Sequence, residues 1–184
     1  MQIRPIQPSD LDALDEIDAT IQSDSYLHVD RSAEALNVHF KIESRPLPDR
    51  RSESNPIDDD LRFRFKQIAS GIDDGFCMVA EHDDFPIASA LAIENVDLVE
   101  LIDLRVDYDR RREGFGSALM FQVINYARER ECRAIRVFVR TGNGPFNAML
   151  AKLGFEIAGI DTQRHSNHDL VKEQTTLIWY LQLI

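Results

Sequence analysis

The stretch "LRVDYDRRREGFGSALMFQV", residues 104–123, constrains the fold more than any other part of the chain. The run "DLVELIDLRV" before and into it reads as a strand. Two glycines, one residue apart, then open a helical pattern over about 116–130, in which Leu119, Met120, Val123, Ile124 and Ala127 share a face. A strand feeding a helix through so short a turn points the helix N-terminus, with its unpaired N–H groups and partial positive charge, at the end of the strand. Glycines there remove the side chains that would block a ligand, and Arg110, Arg111 and Arg112 add charge-assisted donors. The stretch suits a phosphate-bearing ligand; a tight turn with incidental arginines is the plainer alternative.

Charge makes the arginines conspicuous. With 32 acidic against 21 basic side chains the chain carries −11, which disfavours nucleic acid and anionic membranes and favours cationic molecules such as amines. A length of 184 residues, 43% of them hydrophobic, fits one globular domain over 1–184. No apolar run approaches the roughly 18 to 20 residues that span a bilayer, and the N-terminus is acidic, so a cytoplasmic protein is expected. Cys77 and Cys132 lie outside any C-x-x-C pair and read as reduced core residues. His165 and His168 are spaced H-x-x-H without a third ligand nearby, so no metal is expected. Trp179 and the phenylalanines read as core.

Elsewhere strand and helix patterns alternate, giving an α/β class with a mixed sheet. "MQIRPI" reads as a strand, Ser9 as an N-cap and "DLDALDEIDAT" as a helix. Residues 43–60, with three prolines and few apolar side chains, read as a flexible loop, an insertion able to cover an acceptor site. "LRFRFKQIAS" resumes as a helix ended by Gly71. Two runs joined by "HDDFP" form a hairpin signal, although not a two-residue Asn-Gly turn. "AIRVFV", "PFNAMLAKLG" and "TTLIWYLQLI" read as strand, helix and terminal strand, the last able to pair across a homodimer.

Three phosphate-bearing ligands compete for the glycine turn. A dinucleotide fold wants a third glycine at position 119, which is Leu119, and a P-loop needs G-x-x-x-x-G-K-[ST], which does not occur. Coenzyme A, a pyrophosphate on a long amide arm, remains.

The stretch "LRVDYDRRREGFGSALMFQVINYA" resembles motif A of the GNAT superfamily of acyl-CoA-dependent N-acetyltransferases, with Arg111, Gly114 and Gly116 in its Q/R-x-x-G-x-G/A signature. "NGPFNAMLAKLGFEIAG" resembles the downstream motif, in which Asn143 lies eleven residues before the glycine of Leu153, Gly154 and Phe155. "IRPIQPSDLDALDEI" is similar to the usual opening strand and helix, and the tail resembles streptothricin-acetyltransferase-like members. The resemblance implies a mostly antiparallel central sheet flanked by helices and splayed between the strands carrying 98–106 and 133–139. It implies acetyl-CoA as cosubstrate and a small-molecule amine as acceptor. Backbone groups of Leu104 and Val106, with Arg105 between them, are expected along the pantetheine arm. The turn Arg111, Arg112, Glu113, Gly114, Phe115, Gly116 and Ser117 is expected on the pyrophosphate, and Asn143 on the CoA arm.

For the base that takes the amine proton, the resemblance offers Glu100 and Asp103. A two-residue period places Glu100 with Ile102 and Leu104, and Asp103 with Leu101 and Arg105, on opposite faces. Glu100 ranks slightly first; a salt bridge from Asp103 to Arg105 is the structural alternative. Leu150 stands where many members carry a tyrosine that protonates the departing sulfur, and leucine can donate no proton. Tyr180 and Tyr108 are the substitutes to consider. An acyl-CoA-binding module with little catalysis, or a protein N-terminal or lysine acetyltransferase, are the alternative functions.

Overall fold

The computed structural model describes residues 2–184. In chain order the elements are β1 (Gln2–Pro5), a 3₁₀ turn (Pro8–Asp10), α1 (Leu11–Asp15), β2 (Ile21–Glu34), β3 (Asn37–Glu53), α2 (Asp59–Ala69), β4 (Phe76–His82) and β5 (Phe85–Asn95). There follow β6 (Leu98–Val106), a second 3₁₀ turn (Tyr108–Arg110), α3 (Phe115–Glu129), β7 (Ala134–Arg140), α4 (Gly144–Lys152), β8 (Glu156–Asp161) and β9 (Thr176–Gln182). The strands build a mixed, mostly antiparallel sheet flanked by helices, and β2 and β3 form a separate two-stranded ribbon. Among the described residues no helix is long and apolar enough to cross a membrane.

The chain divides into two compact units. The first comprises Met1–Thr20, Ser54–Val137 and Gln182–Ile184, with strand order β1-β4-β5-β6-β7. All its neighbours are antiparallel except β6 and β7, which run parallel. On one face Ile6, Leu14, Ile17, Phe65, Cys77, Val79 and Leu91 form a core with Leu61, Ile68 and Ile102 against it, which seats α1 and α2. On the other face Ala88, Ala90 and Ala92 are fully buried and sit cross-strand from Ala80, Met78 and Phe76. Alanines at those positions leave room for α3, whose Leu119, Met120, Val123 and Ala127 are buried and whose Tyr126 ring lies 4.9 Å from that of Phe76.

The second unit comprises Ile21–Glu53 and Phe138–Leu181. It contains the ribbon, α4, and the antiparallel pair of β8 with β9. Segment 43–60, expected as a loop, is instead strand through Glu53, paired with β2 from Ile21↔Glu53 to Glu34↔Asn37. Pro46 and Pro48 are compatible with this because each strand of a two-stranded ribbon has one edge that needs no ladder donor. The strand order also corrects the reading of the terminal strand: β9 lies between β7 and β8 and offers no sheet edge to a second copy.

Two local devices differ in detail from the sequence reading. The β4–β5 hairpin closes with a two-residue turn, Asp83–Asp84, both left-handed at φ 51° and 64°, a geometry aspartate tolerates in place of Asn-Gly. The start of the first helical segment is capped at Gln7 rather than Ser9. Gln7 N–H donates to the Asp10 carboxylate at 2.8 Å, and Arg4 holds the same carboxylate with bonds of 2.7 and 2.9 Å. Arg4 also reaches Glu81 across β4 at 2.9 Å, so strand, turn and sheet are joined through one buried aspartate.

The Arg4 guanidinium holds Asp10 below the usual carboxylate range. Because the folded value is depressed, its stabilisation is complete above about pH 4, where the unfolded side chain ionises, and is lost as pH falls through the lower folded value. Asp10→Asn is expected to cost about 2 kcal/mol at neutral pH by leaving charge-assisted bonds unmade. Urea unfolding should show this difference shrinking steadily below pH 4.

Candidate active site

Strand β6 and the turn after it carry most of the expected site. At the end of β6, Asp107 N–H donates to Ile87 O at 2.8 Å, and the Asp107 carboxylate accepts from the N–H groups of Asp18 and Asp109, both at 3.1 Å. Tyr108 N–H donates to Asp18 O at 2.8 Å, so the turn is tied to the chain after α1 as well as to β5. Arg112 then takes φ 65° and Gly114 φ 92°, and α3 begins at Phe115. Turns built with left-handed residues gather successive N–H groups into anion-binding concavities. The first helical bond is Ala118 N–H to Gly114 O, which leaves the N–H groups of Phe115, Gly116 and Ser117 ahead of the helix ladder. A Cβ added at Gly114 would meet nothing within 4 Å, so glycine serves the backbone angle there, and the space beside it is open.

The three arginines have three different settings. Arg111 folds back, with Nε donating to Val106 O at 3.3 Å and its guanidinium 5.2 Å from the Tyr108 ring centroid. Burial pushes its pKa below the ordinary arginine value, with Asp18, Tyr108 and Asp107 opposing that shift. Arg110 pairs with Glu113 at 3.6 Å. Arg112 is exposed. The Phe115 side chain is buried, so only its backbone is on offer to a ligand.

Strand β6 is where the sequence reading needs correction. Along β5 the register runs Ile93↔Glu100, Ala92↔Leu101 and then Leu91↔Asp103, so Ile102 is an extra residue in β6. Ile93 and Leu91 share a face of β5, and directly opposed residues share a face of the sheet. Glu100 and Asp103 therefore emerge on the same face, not opposite faces, because the bulge breaks the two-residue period. Asp103 is gripped in a fork by Arg105, Nε to Oδ2 at 2.7 Å and Nη2 to Oδ1 at 2.9 Å, and Arg105 is only 2% exposed. Glu100 meets Arg136 on β7, its direct cross-strand partner, and both bonds use Oε2. Arg136 was not singled out from the sequence; the lone charge inside the apolar run "AIRVFV" was the available signal.

Pairing of β6 with β7 runs only from Leu98↔Ala134 to Leu101↔Val137. Leu104, Arg105 and Val106 lie beyond the last of these pairs while remaining paired to β5 through Ala90, Ser89 and Ala88. The edge of β6 turned away from β5 thus continues past its β7 partners and runs directly into the glycine turn.

In the second unit Asn143 is the N-cap of α4, its Oδ1 accepting from Phe146 N–H at 3.3 Å. Buried Asn147 holds that helix start: its Nδ2 donates to the carbonyls of Arg140 and Asn143, each at 2.9 Å, and its Oδ1 accepts from Trp179 Nε1 at 2.9 Å. Gly144 is required by crowding, since a Cβ there would lie 2.3 Å from Ser25 O. Leu150 is fully buried on the same inner face. Tyr180 lies in β9 opposite Glu156, and Tyr108 sits beneath Arg111. His165 and His168 belong to a polar loop, their N–H groups bonded to Asp169 and Ser166. Among the described residues no three His, Cys, Asp or Glu side chains gather to hold a metal.

Comparison with known proteins agrees with this geometry. Residues 38–155, more than half of the chain, match the Acetyltransferase (GNAT) family. A streptothricin acetyltransferase of Escherichia coli is 29% identical over 84 residues, 46% of this chain and 48% of that protein. An uncharacterized N-acetyltransferase of Methanocaldococcus jannaschii is 30% identical over 102 residues, 52% and 45% of the two chains. These matches thus span about half the length of the curated relatives. The crystal structure of nourseothricin acetyltransferase superposes with a TM-score of 0.78 at 22% identity, covering 98% of this chain and 97% of that one. A protein described as a streptothricin acetyltransferase from Bacillus anthracis str. Ames, solved with acetyl coenzyme A, gives 0.78 at 20% identity over 100% and 97%. At such identities the structural likeness is one of fold, and the matched stretch spans β6, the glycine turn and α4. The chain belongs to the GNAT acetyltransferase family.

Proposed function

We propose that the chain transfers an acetyl group from acetyl-CoA to the amine of a small cationic molecule in the cytoplasm. The observation that carries this reading is the continuity of the β6 edge beyond its last β7 pair with the turn at Arg112–Ser117. An amide-rich arm can add to a strand edge, and a pyrophosphate fits the helix N-terminus where that edge ends. In this arrangement Leu104 and Val106 offer backbone groups to the arm, as does Arg105, whose guanidinium is already committed to Asp103. Gly114, Phe115, Gly116 and Ser117 offer N–H groups to the phosphates, and Arg111 braces the turn while Arg112 supplies exposed charge. Glu113 offsets Arg110. Asn143 serves the CoA arm, with its Oδ1 kept as the helix cap.

Acetyl-CoA supplies an activated thioester. The amine nitrogen bonds to the acetyl carbon, the carbon–sulfur bond breaks, and CoA leaves as the thiolate while the amine gives up a proton. Glu100 is favoured over Asp103 as the group that accepts it. Both Asp103 oxygens are held by Arg105, whereas the two bonds from Arg136 to Glu100 both fall on Oε2. Asp103 then acts structurally, as the counter-charge of a buried arginine. The charge of −11 supports a cationic acceptor. Fully buried Leu150 favours a second reading, an acyl-CoA-binding module with little turnover, since the helix offers no hydroxyl for the leaving sulfur. A thiolate, with a free-thiol pKa near 8.5, is a tolerable leaving group without one, so transfer remains the preferred reading.

Calorimetry with acetyl-CoA is expected to show binding that Gly116→Trp weakens at least tenfold, about 1.4 kcal/mol; no binding at millimolar concentration sinks both readings. A free-thiol assay across polyamines, aminoglycosides, streptothricin, amino acids and peptide N-termini separates them, because a binding module releases no CoA on adding any amine. Glu100→Gln should lower kcat roughly 100-fold or more with acetyl-CoA affinity retained, and full activity across the pH range would remove Glu100 from the mechanism. Asp103→Asn should instead cost about 3 kcal/mol of stability by stranding Arg105, read by urea unfolding.

A further inference from the structure

Burial alternates along β7, so that Arg136, Phe138 and Arg140 share its less buried face. The two arginines are met by carboxylates: Arg136 donates to Glu100, and Arg140 Nη1 donates to Glu53 Oε1 at 3.0 Å. Phe138, placed between them in the strand, is half-buried and holds a cation of its own. Arg164, from the loop that joins β8 to β9, lays its guanidinium carbon 4.0 Å from the centroid of the Phe138 ring. At that distance the charge sits against the negative face of the ring quadrupole. Arg164 is exposed, and among the described residues the ring is its partner and no carboxylate pairs with it, although acidic side chains outnumber basic ones by 32 to 21.

The loop is built so that this side chain can leave without the backbone moving. Gln163 N–H donates to Asp161 Oδ1 at 3.0 Å and His165 N–H to Asp169 Oδ2 at 2.8 Å, so the chain is pinned on both sides of Arg164. Asp169 is itself buried, 3% exposed, and its Oδ1 accepts from Ser166 Oγ at 2.7 Å. An exposed cation–ring contact is weak, and a ring that holds one guanidinium offers the same face to another. A ligand anchored elsewhere by its amine has the advantage over a side chain held by the ring alone. Along a strand, two residues span roughly 7 Å, about the length of a short diamine. We propose that the face of the Phe138 ring now under Arg164 is a recognition subsite for a guanidinium or second ammonium group on the amine acceptor, which displaces Arg164 on binding. This rests on the acetyltransferase reading and names the class of amine that it favours.

NMR of the full chain with labelled phenylalanine rings reads the subsite directly, the Phe138 resonance being identified by its loss in Phe138→Leu. Titration with 4-aminobutylguanidine is expected to shift that resonance saturably, and butylamine at equal concentration to leave it unmoved. Arg164→Gln should lower the Kd for 4-aminobutylguanidine about threefold, measured by ligand-observed NMR, with thermal unfolding unchanged because the side chain is exposed. Loss of a positive charge would favour any nearby cation, so the double variant decides: in Phe138→Leu the gain from Arg164→Gln should vanish, since no ring is left to vacate. A Phe138 resonance indifferent to 4-aminobutylguanidine, or a gain that persists without the ring, overturns the proposal. The free-thiol assay keeps the two readings apart: no CoA release with any amine removes the transferase reading whatever the ring does, and CoA release beside an unmoved ring removes only the subsite.

Discussion

The four register pairs between β6 and β7, and the point at which they stop, govern the rest of the candidate site. Glu100 lies inside the paired stretch, so its charge is met from across the strand boundary by Arg136. Asp103 lies two residues beyond the last pair, and its partner comes from its own strand, Arg105 two positions on. The bulge at Ile102 falls between the two and turns both carboxylates to one face. An extra residue placed anywhere outside 101–102 would have left them on opposite sides of the sheet. Ile102 itself packs against the core under α1 and α2, which gives the bulge an apolar anchor and keeps it from sliding along the strand.

The glycine turn inherits its position from the same strand. With β6 still bonded to β5 up to Val106, Asp107 can lock the chain reversal to both Ile87 and Asp18, and the left-handed angles at Arg112 and Gly114 then aim α3 back over the sheet. The arginine cluster consequently divides its work. One charge is neutralised locally by Glu113, one is folded inward as a brace, and one remains exposed beside the helix N-terminus. A positive field at this turn thus comes chiefly from Arg111, Arg112 and the helix dipole, against a chain that is acidic overall.

Those features were legible in the sequence to the extent that they are local. Strand, turn and helix across 98–130 announce themselves through the apolar periodicity of Leu119 to Ala127 and the glycines before it, and the end of α4 through Gly154, which takes φ 85°. The ribbon did not announce itself. Its second strand carries Pro46, Pro48 and a run of charges that read as loop, because pattern rules assume a strand with neighbours on both edges. The bulge at Ile102 was equally hidden: no residue type marks it, and the period-two rule fails silently once one residue is inserted. Pairing of Glu100 with Arg136 required the parallel register, which depends on contacts 36 residues apart in the chain.

In the second unit the inner face of α4 sets which side chains fit. The inner face of α4 presents Gly144, Asn147 and Leu150, spaced three apart and all buried. Gly144 allows close approach to Ser25 O, and Asn147 satisfies both its donors and its acceptor through Arg140, Asn143 and Trp179. Leu150, next along, is fully buried and needs no polar partner. A phenol there would bring a hydroxyl into the interior beside a network whose hydrogen bonds are already made, and an unpartnered buried hydroxyl costs about 1 to 3 kcal/mol. Leucine at 150 is therefore the residue that this packing favours. The same choice leaves α4 free to hold Asn143 at its N-terminus, where its Oδ1 caps the helix.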